Sequence, residues 1–382
     1  MPRLGGSLGR IRAVLASLFP AALVALFAAC HGSAGPGTID SYWATSQDHQ
    51  LSTTPPRMTI AVLRVVQAAN GPAAFRGIAG AAVRSRDTLL AVIDYGACRI
   101  RLLHVKASDP SWSINSCLPD AHGDSRITRV RFWGDTLVAY DANADMLLWL
   151  SVDGRELRRR SLGVVSSSYP VVQDVVPVDD STALVSLGAA GTLDPTQGLR
   201  PLLVWLNLTT GRVMRRALPD VPFSEANGAN WVQSVRVCVD HSSSHGVAAL
   251  SLWRFQVAFL NYDDSLPRRT VWRPLPWTGP KPAPSGLGSF PSASSANLIC
   301  DDSTVLAFHP RYATVANVTD RVGGWFERLT FSGEDLGALS VGRDTGLVLN
   351  QTYPVAMAHG VLVLVGNPRD RAPLLVIAQV GG

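Results

Sequence analysis

The chain has 382 residues, 47% hydrophobic and 16% charged, with 33 Gly and 25 Pro. That balance excludes intrinsic disorder, collagen and a coiled coil, and describes a globular chain with many turns. Of the net charge of +5, Arg3, Arg10 and Arg12 sit in an N-terminal segment without acids; the remainder is too nearly neutral to point to nucleic acid.

Lys106 and Lys281 are the only lysines, and Glu156, Glu225, Glu327 and Glu334 the only glutamates. The excess of Arg and Ala is the mark of a GC-rich bacterial genome. Residues 1–29 read as a signal peptide: three Arg, then Ala13 to Ala29 without a charge and with small residues at the end. A membrane-spanning helix needs about 20 apolar residues, and this run is short and interrupted by Pro20. Its end, Leu26-Phe27-Ala28-Ala29-Cys30, resembles a bacterial lipobox, in which the Cys becomes the lipidated first residue of the mature chain. The pattern usually carries Leu, Val or Ile where Phe27 stands, so ordinary secretion and an uncleaved anchor are alternatives. All three place the body of the chain outside the cytoplasm, in the cell envelope or beyond. Residues 30–57, rich in Gly, Ser, Thr and Pro, read as a flexible tether.

From residue 58 the pattern is all-β. One unit is plain: a strand from Arg126 to Trp133, a Gly134-Asp135 turn, strands from Thr136 to Tyr140 and Met146 to Val152, an Asp153-Gly154 hairpin turn and a return from Arg155 to Leu162. A polar turn followed by a short apolar strand recurs at Asp87, Asp135, Asp180, His245, Asp302 and His359, at spacings of 48, 45, 65, 57 and 57. Six repeats of a four-stranded unit predict a six-bladed β-propeller over residues 58–382. A β-sandwich of similar strands is the alternative. After His359 the chain has room for two more strands, so the last blade is one short. The unassigned run Met58 to Gln67 is expected to supply it by pairing with Leu374 to Val380, closing the ring and covering an open edge.

Three stretches carry a family likeness: Phe75-Arg-Gly-Ile-Ala-Gly80, Asp87-Thr-Leu-Leu-Ala-Val-Ile-Asp94 and Cys98-Arg-Ile-Arg-Leu-Leu103. They resemble the repeats of six-bladed propellers of the NHL and TolB-like kind, extracytoplasmic bacterial lipoproteins included. Leu137-Val-Ala-Tyr-Asp141 and Leu147-Leu-Trp-Leu150 echo them in the second unit. The resemblance implies a fold and hardly constrains function.

Without Cys30 the cysteines number four, an even count suited to an oxidising compartment. Cys98 and Cys117 bracket a predicted hairpin and are expected to pair across it. Cys238 and Cys300 each precede an Asp-containing turn in neighbouring repeats and form the second expected bridge. Buried free thiols are the alternative for both pairs.

Nucleotide-binding, zinc-protease and Cys-x-x-Cys motifs are absent, and the one Gly-x-Ser-x-Gly lies at residues 5–9, inside the signal peptide. His241 and His245 fall in a Ser-rich turn, read as solvated rather than as metal ligands. Trp149, Trp205, Trp253 and Trp272 are expected to pack inside strands; Trp231 and Trp277 lie in predicted loops and are contact candidates. Asp94, Asp141 and Asp263 read as turn-formers. Propeller ligands usually meet the loops between blades, here residues 118–125, 164–169, 220–231, 275–297 and 343–352. Among these, Glu225, Asn227, Asn230 and Trp231 gather a carboxylate, two amides and an aromatic ring within seven residues and form the candidate binding site.

The functional expectation is a monomeric, non-catalytic propeller without cofactor, metal or nucleic acid, holding a protein or small-molecule ligand at the channel mouth and the membrane through its lipid. The alternative is an enzyme like the propeller lactonases or quinone-linked sugar dehydrogenases, with a metal in the channel. That alternative requires three or more of Asp124, Asp174, Glu225, Asn230, Asp240 and Asn297 to converge on one point.

Overall fold

Each short apolar run bounded by Asp, Gly or Pro becomes one strand, and the Asp residues make the turns between them. Asp141 Oδ1 accepts the backbone N–H of Asn143 (3.0 Å) and Ala144 (3.1 Å), and Asp301 Oδ1 accepts those of Ser303 (3.1 Å) and Thr304 (2.8 Å). Such local bonds bend the chain where the side chain is short and polar. In the Asp179-Asp180 and Asp301-Asp302 pairs it is the first Asp that caps the turn.

The computed structural model describes residues 48–66, 74–105, 112–115, 127–163, 171–188, 201–219, 223–224, 230–231, 235–241, 246–251, 256–273, 297–315, 318–341, 349, 352–366 and 372–381, all in the unit Trp43–Gly382. The first two strands are β1 (Asp48–Gln50) and β2 (Thr59–Val66). Blade 1 holds β3 (Ile78–Val83), β4 (Leu89–Asp94), β5 (Arg99–His104) and β6 (Trp112–Asn115). Blade 2 holds β7 (Ile127–Trp133), β8 (Thr136–Asp141), β9 (Met146–Leu150) and β10 (Glu156–Ser161), the four strands read from sequence. Blade 3 holds β11 (Val171–Pro177), β12 (Thr182–Gly188), β13 (Pro201–Asn207) and β14 (Val213–Pro219), followed by a small hairpin of β15 (Phe223–Ser224) and β16 (Asn230–Trp231). Blade 4 is β17 (Val235–Val239), β18 (Gly246–Ser251), β19 (Gln256–Asn261) and β20 (Arg269–Trp272). Blade 5 is β21 (Asn297–Cys300), β22 (Thr304–Val315), β23 (Val318–Thr330) and β24 (Asp335–Val341). Blade 6 is β25 (Tyr353–Ala358), β26 (Val361–Gly366) and β27 (Leu374–Gly381), completed by β2.

The ring is closed as expected. β2 pairs antiparallel with β27 from Thr59↔Gly381 to Val66↔Leu375, as the outermost strand of blade 6. The first strands of the blades touch in succession, β3, β7, β11, β17, β21 and β25, and β25 returns to β3. Six apolar clusters fill the six gaps between consecutive blades; the sixth joins Ile377 and Val363 of blade 6 to Ile78 and Leu90 of blade 1. Because each blade is covered on both faces, its inner strands are buried throughout, as in β4 and β26.

The tether read over residues 30–57 requires a correction at its C-terminal end. β1 adds to the outer edge of blade 4, parallel to β20, with Asp48 opposite Thr270 and Gln50 opposite Trp272. Leu51 is buried behind it. The chain then crosses to blade 5, where the Ala338 N–H donates to Pro56 O (3.0 Å) and the Met58 N–H donates to Ala338 O (3.2 Å), before entering β2. Gly337 permits this approach: its φ is +135° and a Cβ there would stand 3.0 Å from Pro56 O. Residues 48–66 thus form a strap across blades 4, 5 and 6. Its polar composition hid the strand, since β1 is Asp-His-Gln and is held by backbone bonds and one apolar residue, Leu51.

Blades 4 and 5 are tied twice more. The Cys238–Cys300 disulfide, with Cα atoms 5.9 Å apart, joins their first strands as expected. Farther from the channel, Arg273 donates through Nε to Glu327 Oε1 and through Nη2 to Asp335 Oδ2, both at 2.7 Å, and His309 Nε2 lies 3.7 Å from the other Glu327 oxygen. Cys98 is disulfide-bonded; its expected partner Cys117 lies outside the described residues, as does Cys30.

Candidate functional site

The six first strands enclose a central cavity of about 380 Å³ lined by residues from every blade, within the size range of small-molecule pockets. Its basic side is built by blades 2, 3 and 4. A bulge between Ile127 and Arg129 sets the alternation of β7 so that Arg129 and Arg131 share one face and meet Asp174 of β11. Arg131 Nη2 donates to Asp174 Oδ2 at 2.7 Å, while Arg129 Nε stands 3.9 Å from Asp174 Oδ1 and its Nη1 donates to Thr128 O at 2.8 Å. Asp174 Oδ1 is already bonded to the Val175 N–H at 2.9 Å.

Arg236 of β17 completes the group. It is 8% exposed, and its Nη1 donates to Gln173 O at 3.2 Å. Its Nε has no hydrogen-bond partner among the described residues. Burial pushes its guanidinium down to about 10; Arg129 adds to the shift, Asp174 opposes it, and Arg131 lowers it further. It therefore stays charged at neutral pH, so three guanidiniums stand near the Asp174 carboxylate on this side of the channel, while Asp301 and Asp302 of blade 5 add two carboxylates elsewhere in the lining. This arrangement can hold an anion: planar guanidinium groups bond carboxylate or phosphate oxygens two at a time.

Blades 5, 6 and 1 complete the lining, blade 5 with Asn297, Asp301 and Asp302 among its residues. Gly80 and Val83 of β3 belong to it, with Tyr353 and Val355 of β25. Val83, Tyr353 and Val355 are partly buried members of the apolar cluster between those two blades. Arg129, Arg236, Asn297 and Tyr353 lie within the first three residues of their strands, at the end of the channel where the chain enters each blade.

Of the residues proposed from sequence, Glu225 and Asn227 lie outside the described residues. Asn230 and Trp231 belong to β16, paired with Ser224 and Phe223; Trp231 is thus in a strand and not in a loop as expected. Of the six residues whose convergence would signal a metal enzyme, Asp174 and Asn297 line the cavity, and Asp240 is buried outside its lining. Asp124 and Glu225 lie outside the described residues, and of Asn230 the backbone pairing alone is described. Among the described residues no three of His, Cys, Asp and Glu gather as metal ligands. His241 is exposed and packs edge-on against Trp133 at 5.1 Å; His245 is outside the described residues.

Trp149 and Trp205 are buried as expected, each roofed by an arginine, Arg158 at 4.7 Å and Arg215 at 4.2 Å. Trp272 is half-buried, while Trp253 and Trp277 lie outside the described residues. Asp94 departs from the turn-forming role. Its Oδ1 accepts the Arg76 (2.9 Å) and Gly77 (3.1 Å) N–H groups, capping the approach to β3, and Arg101 pairs with its other oxygen at 2.8 Å.

Sequence reading missed Arg129, Arg131 and Arg236. The signal lay in charge placed within strands that are otherwise apolar, Ile127-Thr-Arg-Val-Arg-Phe-Trp133 and Val235-Arg-Val-Cys-Val239.

No protein-family model matches the chain, and no curated protein sequence does. Among solved structures the fold is similar to that of a DUF4221 family member from Bacteroides vulgatus, with TM-score 0.56 and 8% identity over 86% of this chain and 100% of that one. It is also similar to a Bacteroides fragilis protein whose name calls it exported, with TM-score 0.53 and 8% identity over 88% of this chain and 99% of the other. At such identity the likeness is one of fold.

Proposed function

We propose that the chain is an exported, non-catalytic binding propeller, tethered to the membrane through a lipidated Cys30, whose central channel holds the anionic group of a small molecule. The observation that carries the binding reading is Arg236: a buried guanidinium whose Nε lacks an acceptor among the described residues, beside Arg129, Arg131 and Asp174. A buried cation left short of partners is costly to the fold on its own account, and an incoming oxyanion would offset that cost.

Titration of the purified protein with acetate and inorganic phosphate tests this. Saturable binding of an anion, weakened by added salt, is the expected result, and Arg236→Met should weaken it at least about tenfold. Because Met fills similar volume without a charge, that variant should unfold at the same temperature as the parent or higher. Undiminished binding in Arg236→Met, or no binding in the parent, would overturn the reading.

The exported address is supported by the N-terminal arginines, the apolar run to Ala29 and the disulfide between Cys238 and Cys300. Metabolic labelling with an alkyne fatty acid should mark the protein, and Cys30→Ala should erase the mark. A parent chain that takes up no label would remove the lipid from the proposal. The repeats are read as NHL-like, in keeping with Asp94, which stands at the strand end where that pattern places an Asp and binds the backbone at the start of its own blade.

A further inference from the structure

The charged residues of the channel lining balance in number and not in place. Arg129, Arg131 and Arg236 share one cavity with Asp174, Asp301 and Asp302. Arg131 and Asp174, the fifth and fourth residues of β7 and β11, pair with each other at 2.7 Å partway along those strands. Arg129 and Arg236, the third and second residues of β7 and β17, stand toward the end where the chain enters each blade. Asp301 and Asp302 follow the last residue of β21 at the other end, in company with Ser85 and His241, each two residues past its own first strand. Among the described residues no arginine or lysine pairs with Asp301 or Asp302. The cations in the turn of blade 1 at that end, Arg84 and Arg86, are matched by Asp87 and Asp135. The lining is thus positive at one end, neutral between and negative at the other.

That polarity sets a ligand's direction. A simple anion would satisfy Arg236 and Arg129 and gain nothing at Asp301 and Asp302. A molecule carrying both charges meets both ends in one orientation and is opposed in the reverse one. Asn297, level with Arg236 near the start of its strand, and Asp301 are four residues apart. At about 3.3 Å per residue of strand the two ends are about 13 Å apart, the length of three to four extended peptide residues. Resting on the reading of the channel as an anion site, we infer that its ligand is a linear zwitterion, with the oxyanion at Arg236 and Arg129 and an ammonium group at Asp301 and Asp302, spaced as the two ends of a short extended peptide are.

The test is calorimetric titration of the purified full chain with acetate, tetraglycine, N-acetyltetraglycine, tetraglycinamide and diglycine. Tetraglycine should bind about fivefold or more tightly than N-acetyltetraglycine, which keeps the carboxylate and lacks the ammonium; an ion pair open to solvent contributes modestly, and here two carboxylates receive one cation. It should exceed by the same margin diglycine, whose charges are too close together to reach both ends, and tetraglycinamide, which lacks the oxyanion. Asp302 is exposed, and Asp301→Asn retains the Oδ1 that accepts the Ser303 and Thr304 N–H groups. Asp301→Asn with Asp302→Asn should therefore keep the fold, bring tetraglycine to the level of N-acetyltetraglycine and leave acetate at least as tight as in the parent. Tetraglycine no tighter than N-acetyltetraglycine or diglycine, or unchanged in the double variant, would overturn the inference and leave the anion site standing. Tetraglycinamide binding as well as tetraglycine would overturn it too, because the arginines would then take no part. Failure of acetate and of every peptide to bind the parent chain would remove the anion site itself.

Discussion

A chain that begins at Gln67 is expected to lose the folded ring, whereas one that begins at Trp43, the first residue of the propeller unit, should retain it. Three losses coincide. Without β2, the strand β27 becomes an edge eight residues long, and its first five positions, Leu374 to Ala378, are all apolar and buried. Such an edge pairs with other chains. Leu51 and Met58, 3% and 1% exposed, leave the clusters between blades 4 and 5 and between blades 5 and 6. Emptying buried sites of that kind costs about 2–5 kcal/mol each, a sum comparable to the whole stability of a domain, about 5–15 kcal/mol. The backbone bonds of the strap to β20 and β24 go as well. Size-exclusion chromatography and circular dichroism of the two chains provide the measurement, with aggregation of the shorter one expected. If that chain stays monomeric and melts within a few degrees of the longer one, closure by β2 contributes little and the six interblade clusters suffice.

How far the sequence carried this description depended on whether a feature was written in local pattern or in long-range geometry. The strands of blade 2 were legible because each turn carries its own chemistry: Asp141 bends the chain by bonding its neighbours, and Gly154 supplies a φ of +87°. Closure was legible by counting, since one blade lacked a strand and one apolar run lacked a sheet. β1 was not, because an Asp-His-Gln strand held by backbone bonds leaves no trace of hydrophobic alternation. The channel arginines were hidden differently. An excess of Arg had a ready explanation in genome composition, which masked three distinct uses: covering tryptophans at Arg158 and Arg215, joining blades at Arg273, and lining the channel at Arg129, Arg131 and Arg236. The channel and blade-joining arginines owe their roles to residues 40 or more positions away, such as Asp174 for Arg131 and Glu327 for Arg273, and spacing along the chain does not report that.

Glu327→Ala should be the most damaging single substitution of a charged residue, because it breaks a pair whose members are both closed off from water. The side chains of Glu327 and Arg273 are 2% and 1% exposed. Burial pushes the Glu327 carboxyl up, but His309 and Arg273 facing it outweigh that and hold it below its ordinary value of 4.5. Removing the carboxylate leaves Arg273 with Asp335 alone and takes from His309 the acid that faces it, at an expected cost of about 3–5 kcal/mol. Replacing both partners, in Arg273→Met with Glu327→Leu, should recover most of that loss, since no buried charge is then stranded; Asp335, at 17% side-chain exposure, can turn to water. The sign with pH follows from the lowered carboxyl. A group bound more weakly to its proton in the folded chain stabilises the fold above its unfolded value and loses that contribution as pH falls through the folded one. The parent should therefore lose stability below about pH 4.5 more steeply than the double variant, as read from urea midpoints between pH 3 and 7. A Glu327→Ala chain within about 1 kcal/mol of the parent at pH 7 would show that blades 4 and 5 are held by Cys238–Cys300 and the cluster around Leu250 and Val305, with the ion pair contributing no net stability.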